Sequence, residues 1–314
     1  DEGAKIDSAL DEAFRIGREA GIPVNIWHLK VGGRALWGRM TEIVARIQAA
    51  RTEGLDVSAN VYPYAASSTG LSTLAPDWAM DGGYDDFRRR LQDPDDRARI
   101  AEALRAQVER RGPRGIYVTQ IYGDALDRYE KKFIEEIAEM MQRPAEEALM
   151  TLFAGSNPSP RVIYFSMSED DVRTALRQPW ISICSDASSP GAQMRAENVA
   201  VHPRAYGSFP RVLGHYVRNE KLFSIEEAVR RMTSQAALRA NLHDRGLVRT
   251  GMIADLVVFD PDTVIDKATF EEPHQFPEGI TDVVVNGIPV LRNGVMTGKL
   301  PGRSIRGAGH ERQD

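Results

Sequence analysis

The chain has 314 residues and a mass of 34.9 kDa, which excludes a peptide or one small module and fits one large α/β barrel or two medium domains. Its 40 Lys and Arg against 45 Asp and Glu leave a net charge of −5, which disfavours a bulk nucleic-acid binder with a basic face. Hydrophobic residues at 42% and charged residues at 27% exclude disorder and collagen-like repeats, and apolar runs of only a few residues exclude a membrane span.

In chain order, Ile6, Leu10, Ala13, Phe14, Ile16 and Gly17 recur at helical spacing, and Gly21 with Pro23 stops that helix. A short β-type run, Val24-Asn25-Ile26-Trp27, ends at His28-Leu29-Lys30. A second helix carries Met40, Ile43, Val44, Ile47 and Ala50 on one face. A second strand, over residues 55–61, runs into Tyr62-Pro63-Tyr64-Ala65-Ala66-Ser67-Ser68-Thr69. Helix and strand alternating in units of about 30 residues point to parallel βα repeats. In such folds the chemistry sits where the strands end.

From about residue 70 to 160 the rhythm changes. Helices rich in Arg and Glu are expected over 85–111, 129–142 and 144–154, with a short β run at 116–119. This block reads as an insertion or lid after a strand. The alternative is a set of solvated helices in the barrel's outer ring. Barrel order is expected to resume with a strand at 162–165, a helix capped by Ser168, a strand at 180–184 that ends at Ser185-Asp186, and a helix started by Ser224. The tail differs: the run Asp255-Leu256-Val257-Val258-Phe259-Asp260 is followed by Val283-Val284-Val285 and Ile288-Pro289-Val290-Leu291, joined at Asn286-Gly287, a type I′ hairpin pattern. Asn293-Gly294 is a second such turn. The expected organisation is barrel strands and helices over 1–69, the insertion over 70–160, final barrel units over 161–245, a small antiparallel β domain over 246–302 and a flexible tail over 303–314.

Two residues at strand ends could carry metal or acid–base chemistry. His28 follows an apolar strand, where a rigid backbone can fix an imidazole nitrogen for zinc. Taken alone, a histidine at a strand end is more often a hydrogen-bonded rim residue. Asp186 could ligate a metal or take a proton from an activated water, or could form an Asx turn. Two polar clusters accompany them. One holds the hydroxyls of Tyr62, Tyr64, Ser67, Ser68 and Thr69. The other is His202-Pro203-Arg204-Ala205-Tyr206-Gly207-Ser208-Phe209-Pro210-Arg211, where an arginine could clamp a carboxylate or pair with a nearby acid. The single cysteine, Cys184, reads as core rather than nucleophile, excludes an internal disulfide and suits a reducing compartment, so a cytoplasmic location is expected. The chain begins at Asp1 rather than Met, which reads as a processed or truncated product.

Taken in order, Ile26-Trp27-His28-Leu29-Lys30, the Tyr62–Thr69 block, Met167-Ser168-Glu169-Asp170-Asp171-Val172, Ser185-Asp186, the His202–Arg211 block, Met232-Thr233-Ser234 and Gly251-Met252-Ile253-Ala254-Asp255-Leu256-Val257-Val258-Phe259-Asp260-Pro261 resemble the D-aminoacylase (N-acyl-D-amino-acid deacylase) family of the amidohydrolase superfamily. The likeness spans nearly the whole chain. The closing block alone says only amidohydrolase-like, and the Tyr-Pro-Tyr and His-Pro-Arg blocks narrow it.

The resemblance implies the C-terminal portion of a (β/α)8 TIM barrel of amidohydrolase type, with a helical insertion and a small C-terminal antiparallel β domain. It implies zinc, as one or two divalent ions, and a small N-acyl amino acid as the substrate. His28 matches a metal ligand. Asp186 matches the strand-eight Asp, both metal ligand and proton shuttle. Lys30, Tyr62 or Tyr64, and Arg204 resemble residues that hold the substrate's carboxylate and carbonyl. The family's His-x-His pair, cysteine ligand and strand-five His have no counterpart here, so a complete three-ligand zinc shell is not expected, and a complementary N-terminal chain or segment is the implied partner. Alternatives are another amidohydrolase reaction, on a cyclic amide, dipeptide or carbamate, and a non-catalytic half-barrel partner chain. The absence of Arg and Lys from residues 70–78 argues against a basic pocket for acidic side chains.

Overall fold

The computed structural model describes residues 1–123 and 125–305. Helix Ile6–Ala20 buries Ile6, Leu10, Phe14 and Gly17, leaves Ala13 partly buried and Ile16, expected with them, exposed, and ends at Gly21. Strand β1 (Val24–Ile26) follows, then helix Met40–Thr52 and strand β2 (Val57–Val61). β1 and β2 pair in parallel, Val24 opposite Val57 and Ile26 opposite Ala59. The N-terminus of helix Met40–Thr52 is held from a distance: the carboxylate of Asp171 accepts from the backbone N–H of Gly38 at 3.0 and 3.1 Å and of Met40 at 3.3 Å. A buried acid there satisfies orphan donors and opposes the positive end of the helix dipole.

The insertion is a sheet covered by helices. Its strands are β3 (Ser67–Gly70), β4 (Ile116–Gln120), β5 (Lys132–Phe133) and β6 (Arg161–Tyr164), in the order β3-β6-β4-β5 and antiparallel throughout. Helices Tyr84–Arg90, Pro94–Arg111, Ile134–Met141 and Ala145–Gly155 pack on one face around Phe87, Ile100, Leu104, Leu149 and Phe153. The helix expected over 85–111 is two. Pro94 opens the second, and the Asp93 side chain caps it by accepting from the N–H of Asp95 and Asp96, each at 3.0 Å. The helix expected from 129 starts at Ile134, because the residues before it pair as β5 with β4.

One boundary needs correcting. Residues 161–164 were assigned to the resuming barrel, yet β6 lies between β3 and β4 in the insertion's sheet. Val162 and Tyr164 face the helices, while Ile163 packs on the other side with Ala66 and Tyr117. A strand covered on both faces is apolar without alternation, so its pattern matches that of a buried parallel barrel strand.

Helix Glu169–Leu176 starts where expected, with Ser168 Oγ accepting from Asp170 N–H at 3.2 Å. Strand β7 (Ile181–Ile183) then pairs in parallel with β2, giving a three-stranded sheet ordered β1-β2-β7. Helix Arg204–Arg211 and the helical segment Val212–Asn219 follow, then helix Ile225–Met232, capped by Ser224. The last sheet is antiparallel: β8 (Leu256–Phe259), β9 (Ile280–Val285), β10 (Ile288–Arg292) and β11 (Val295–Met296). Both expected hairpins are present, with positive φ at Asn286 (48°), Gly287 (78°), Asn293 (48°) and Gly294 (75°). Of the tail expected from 303, residues 306–314 lie outside the described residues. Among the described residues, no helix is long and apolar enough to cross a membrane.

Candidate active site

β1 and β7 end next to residues with unusual backbones. His28, two residues past β1, has φ 39°, and Asp186, three past β7, has φ 48°. Positive φ is costly for any residue with a Cβ, on the order of 1–3 kcal/mol, and tends to gather at functional sites. At His28 the turn is held by its own N–H, which donates to Asn60 Oδ1 at 2.6 Å across the β1–β2 pair.

Both side chains line one cavity of about 790 Å³, together with Glu2, Lys30, Ser67, Ser68, Thr69, Arg161 and Arg204. A second cavity of about 730 Å³ adjoins it and shares Ser68, Arg161, Asp186 and Arg204. Lys30 closes a three-membered cluster: its Nζ lies 2.6 Å from Glu2 Oε1 and 2.8 Å from His28 Nδ1, while Glu2 Oε1 lies 3.2 Å from the same ring nitrogen. Burial pulls the Lys30 ammonium below its usual value, and Glu2 partly restores it.

Arg204 is 6% exposed and approaches Asp186 Oδ2 to 2.8 Å through Nη1. The two atoms touch without the alignment of a hydrogen bond, and neither Nη1 nor the buried Nε of Arg204 has a hydrogen-bond partner. A buried guanidinium that is ion-paired through Nη1 and keeps its Nε without a partner at a cavity wall suits an anionic acceptor.

The two polar clusters of the sequence form one unit beneath this pair. Arg204 lies over the Tyr62 ring, 4.5 Å from its centroid, and Arg211 lies 5.0 Å from that of Tyr64 while its Nε donates to the Pro63 carbonyl at 2.9 Å. His202 is the strut between them. Its Nδ1 accepts the backbone N–H of Arg204 at 3.0 Å, which leaves Nε2–H to donate to the Ala66 carbonyl at 3.0 Å. Burial, with the Arg204 charge nearby, holds this imidazole well below its ordinary range, so it is neutral. Gly207 is required by the same packing: a Cβ there would lie 2.1 Å from the Tyr64 hydroxyl.

The tyrosines, expected beside the substrate, lie under the arginines. Tyr62 and Tyr64 are buried, and neither lines the two cavities. The Tyr62 hydroxyl points at Met167 Sδ (3.7 Å) and that of Tyr64 at Asp266 Oδ2 (3.3 Å). Desolvation raises both phenols well above their usual value, so both stay protonated. Their rings serve as platforms for Arg204 and Arg211. Cys184 also moves from its expected place: it lies just past β7, half-buried on a cavity wall, and burial pushes its thiol up to about 12, which leaves it a poor nucleophile.

Among the described residues, no three His, Cys, Asp or Glu side chains converge as a metal-holding group. His28 Nδ1 is taken up by Lys30 and Glu2, and Asp186 is turned onto Arg204. The donors present do not by themselves fit a zinc ion. Sequence reasoning missed Glu2, the strut role of His202 and the cavity position of Arg161. Only the last had a signal, as the polar residue opening an apolar strand.

The sequence profile of the amidohydrolase family matches residues 90–291, more than half of the chain. The chain is 37% identical over 305 residues to a D-aminoacylase of Alcaligenes xylosoxydans xylosoxydans, covering 97% of this chain and 53% of that protein. It is 33% identical over 305 residues to an N-acyl-D-glutamate deacylase of the same organism, covering 97% and 52%. A crystal structure of a D-aminoacylase superimposes with a TM-score of 0.73 at 36% identity, covering 95% of this chain and 53% of that one. The N-acyl-D-glutamate deacylase from Bordetella bronchiseptica, solved with zinc and a phosphonate mimic of the tetrahedral intermediate, gives 0.72 at 32% identity, covering 92% and 51%. The fold is of the type found in D-aminoacylase structures, and the chain spans about half the length of the curated relatives it matches.

Proposed function

The chain belongs to the amidohydrolase family, and on that premise we propose that it carries the substrate-binding and proton-transfer part of an enzyme that deacylates N-acyl-D-amino acids. In this reading β1, β2 and β7 are three strands of a (β/α)8 barrel, with the cavity at their C-terminal ends.

The observation that carries the reading is the Asp186–Arg204 ion pair on the cavity wall, with the buried Nε of the guanidinium left without a partner. Hydrolysis of an N-acyl amino acid adds water to the amide carbon, breaks the C–N bond, and returns a proton to the departing nitrogen. Asp186 takes the proton from water and delivers it to that nitrogen. Arg204 binds the α-carboxylate through its guanidinium. Lys30, on the same wall, faces the acyl carbonyl. Tyr62 orients Arg204 from below, and His202 fixes the turn from which Arg204 extends.

Zinc is the cofactor this reading calls for. His28 and Asp186 are offered as part of a shell for one or two ions, with the other donors drawn from the part of the relatives' length that this chain does not match. We assign no step to the metal. A complementary N-terminal segment is supported by the open surfaces: β1 is an edge strand with Trp27 beside it 67% exposed, and Val257 and Val258 of β8 are 55% and 54% exposed, with side chains on both faces of the sheet. A single half-buried cysteine supports a cytoplasmic setting.

The test is hydrolysis by the zinc-loaded product of the full reading frame, across N-acetyl-D-amino acids, their L-forms, a hydantoin and a dipeptide. Release of free amino acid from the D-forms alone supports the reading. With metal bound, turnover of the hydantoin or dipeptide alone moves the protein to another amidohydrolase reaction. No turnover at all favours a non-catalytic chain.

A further inference from the structure

We infer that the site takes a substrate with a second carboxylate besides the one on Cα, and that Arg161 reads it. The inference rests on the deacylase reading and names its substrate class.

Arg161 opens β6. Alternation along that strand puts Val162 and Tyr164 toward the insertion's helices, and Arg161 with Ile163 on the opposite face, toward Ala66. Arg161 lines both cavities, as do Asp186 and Arg204.

The larger cavity has cations of two kinds. Lys30 is tied to Glu2, and Arg204 is in contact with Asp186. Arg161, with Arg110 and Arg111 beside it, has no ion-pair partner among the described residues. Arg111 lies 5.0 Å from the centroid of the Tyr164 ring, and its buried Nε has no hydrogen-bond partner. The wall supplied by the insertion is thus basic and uncompensated. Arg110 and Arg111 donate to the neutral Gln107 Oε1, and Arg161 and Arg110 are exposed, so an apolar substrate side chain would leave the wall without a counter-charge, whereas a carboxylate would accept a charge-assisted hydrogen bond from it.

The lack of Arg and Lys in residues 70–78 pointed the other way. The register explains the difference: Gly70 lies directly opposite Arg161 in the β3–β6 pair, so the cation comes from the partner strand, beside a residue with no side chain.

The second carboxylate has two chemical sources, an acidic side chain or a dicarboxylic acyl group. Kinetics of the zinc-loaded, full reading-frame product distinguish them with two matched pairs: N-acetyl-D-glutamate against N-acetyl-D-glutamine, and N-succinyl-D-leucine against N-acetyl-D-leucine. We expect kcat/KM for the dianionic member of one pair to exceed that of its neutral partner by about tenfold or more, and R161M to abolish that ratio. Equal or better turnover of the neutral member in both pairs, or an R161M ratio equal to that of the parent, overturns the inference and leaves the deacylase reading standing. If none of the four is hydrolysed, the deacylase reading fails, and calorimetry with N-acetyl-D-glutamate and N-acetyl-D-glutamine decides the inference. Tighter binding of the glutamate form, lost in R161M, supports it. Equal binding overturns it.

Discussion

Asp186 and Arg204 meet at 2.8 Å, the first in a left-handed backbone turn after β7 and the second laid over the ring of Tyr62. The carboxylate is 24% exposed and open to both cavities, while the guanidinium is nearly enclosed. The acid can reach a substrate, and the base cannot leave. That asymmetry suits a proton carrier beside a fixed anion clamp.

Asp186→Asn keeps the shape of the side chain, and Asn tolerates the left-handed turn. It removes the proton acceptor. The expected result is a kcat lower by about 10²–10⁴-fold with the fold intact, read by steady-state kinetics alongside circular dichroism.

Arg204→Met removes the carboxylate clamp and leaves Asp186 without its partner. If Arg204 holds the α-carboxylate in both ground and transition states, KM rises by about 30-fold or more while kcat changes less. Substrate titration of the variant checks the split between the two constants.

His202 gives a pH dependence to stability. Its folded-state pKa lies well below the ordinary 6.5, so the unfolded chain binds the proton first. Its contribution is complete above pH 6.5 and is lost as pH falls from that value toward the folded pKa. His202→Leu removes this dependence and leaves the Ala66 carbonyl and the Arg204 N–H unpaired, at a cost of about 1–3 kcal/mol for each buried group. Urea titrations at pH 5.5 and 8 should show a larger loss on acidification for the parent chain than for the variant.

Arg231 is a structural counterpart away from the cavity. It is 1% exposed, donates to the carbonyls of Ile181 at 2.7 Å and Leu176 at 2.6 Å, and lies 4.8 Å from the centroid of the Phe223 ring. Burial pushes it down to about 10, which leaves it charged at neutral pH. Arg231→Lys cannot span both carbonyls with a planar fork and should lower stability by about 2 kcal/mol. The urea midpoint checks this, and the ratio of D- to L-substrate turnover should not move.

The parallel βα repeats were legible because helical and strand periodicities differ and each element is one-sided. Ile6, Leu10 and Phe14 show this, as do the hairpins at Asn286-Gly287 and Asn293-Gly294. Strand β3 was not legible: Ser67-Ser68-Thr69-Gly70 has no apolar alternation and is a strand only because β6 pairs with it. In the candidate site, His28, Asp186, Lys30 and Arg204 stand out in the sequence because each follows a strand or a proline-marked turn, and all four line one cavity. The direction of the tyrosine hydroxyls was not legible, because a hydroxyl near a turn says nothing about where it points. Their direction is set by contacts more than a hundred residues away, Met167 for Tyr62 and Asp266 for Tyr64.

The most direct test compares release of free amino acid from N-acetyl-D- and N-acetyl-L-amino acids by the zinc-loaded product of the full reading frame, with Asp186→Asn as the paired control. The account predicts turnover of the D-form, little or none of the L-form, and loss of turnover in the variant. Turnover by Asp186→Asn equal to that of the parent, or none from either enantiomer with zinc bound, would contradict it.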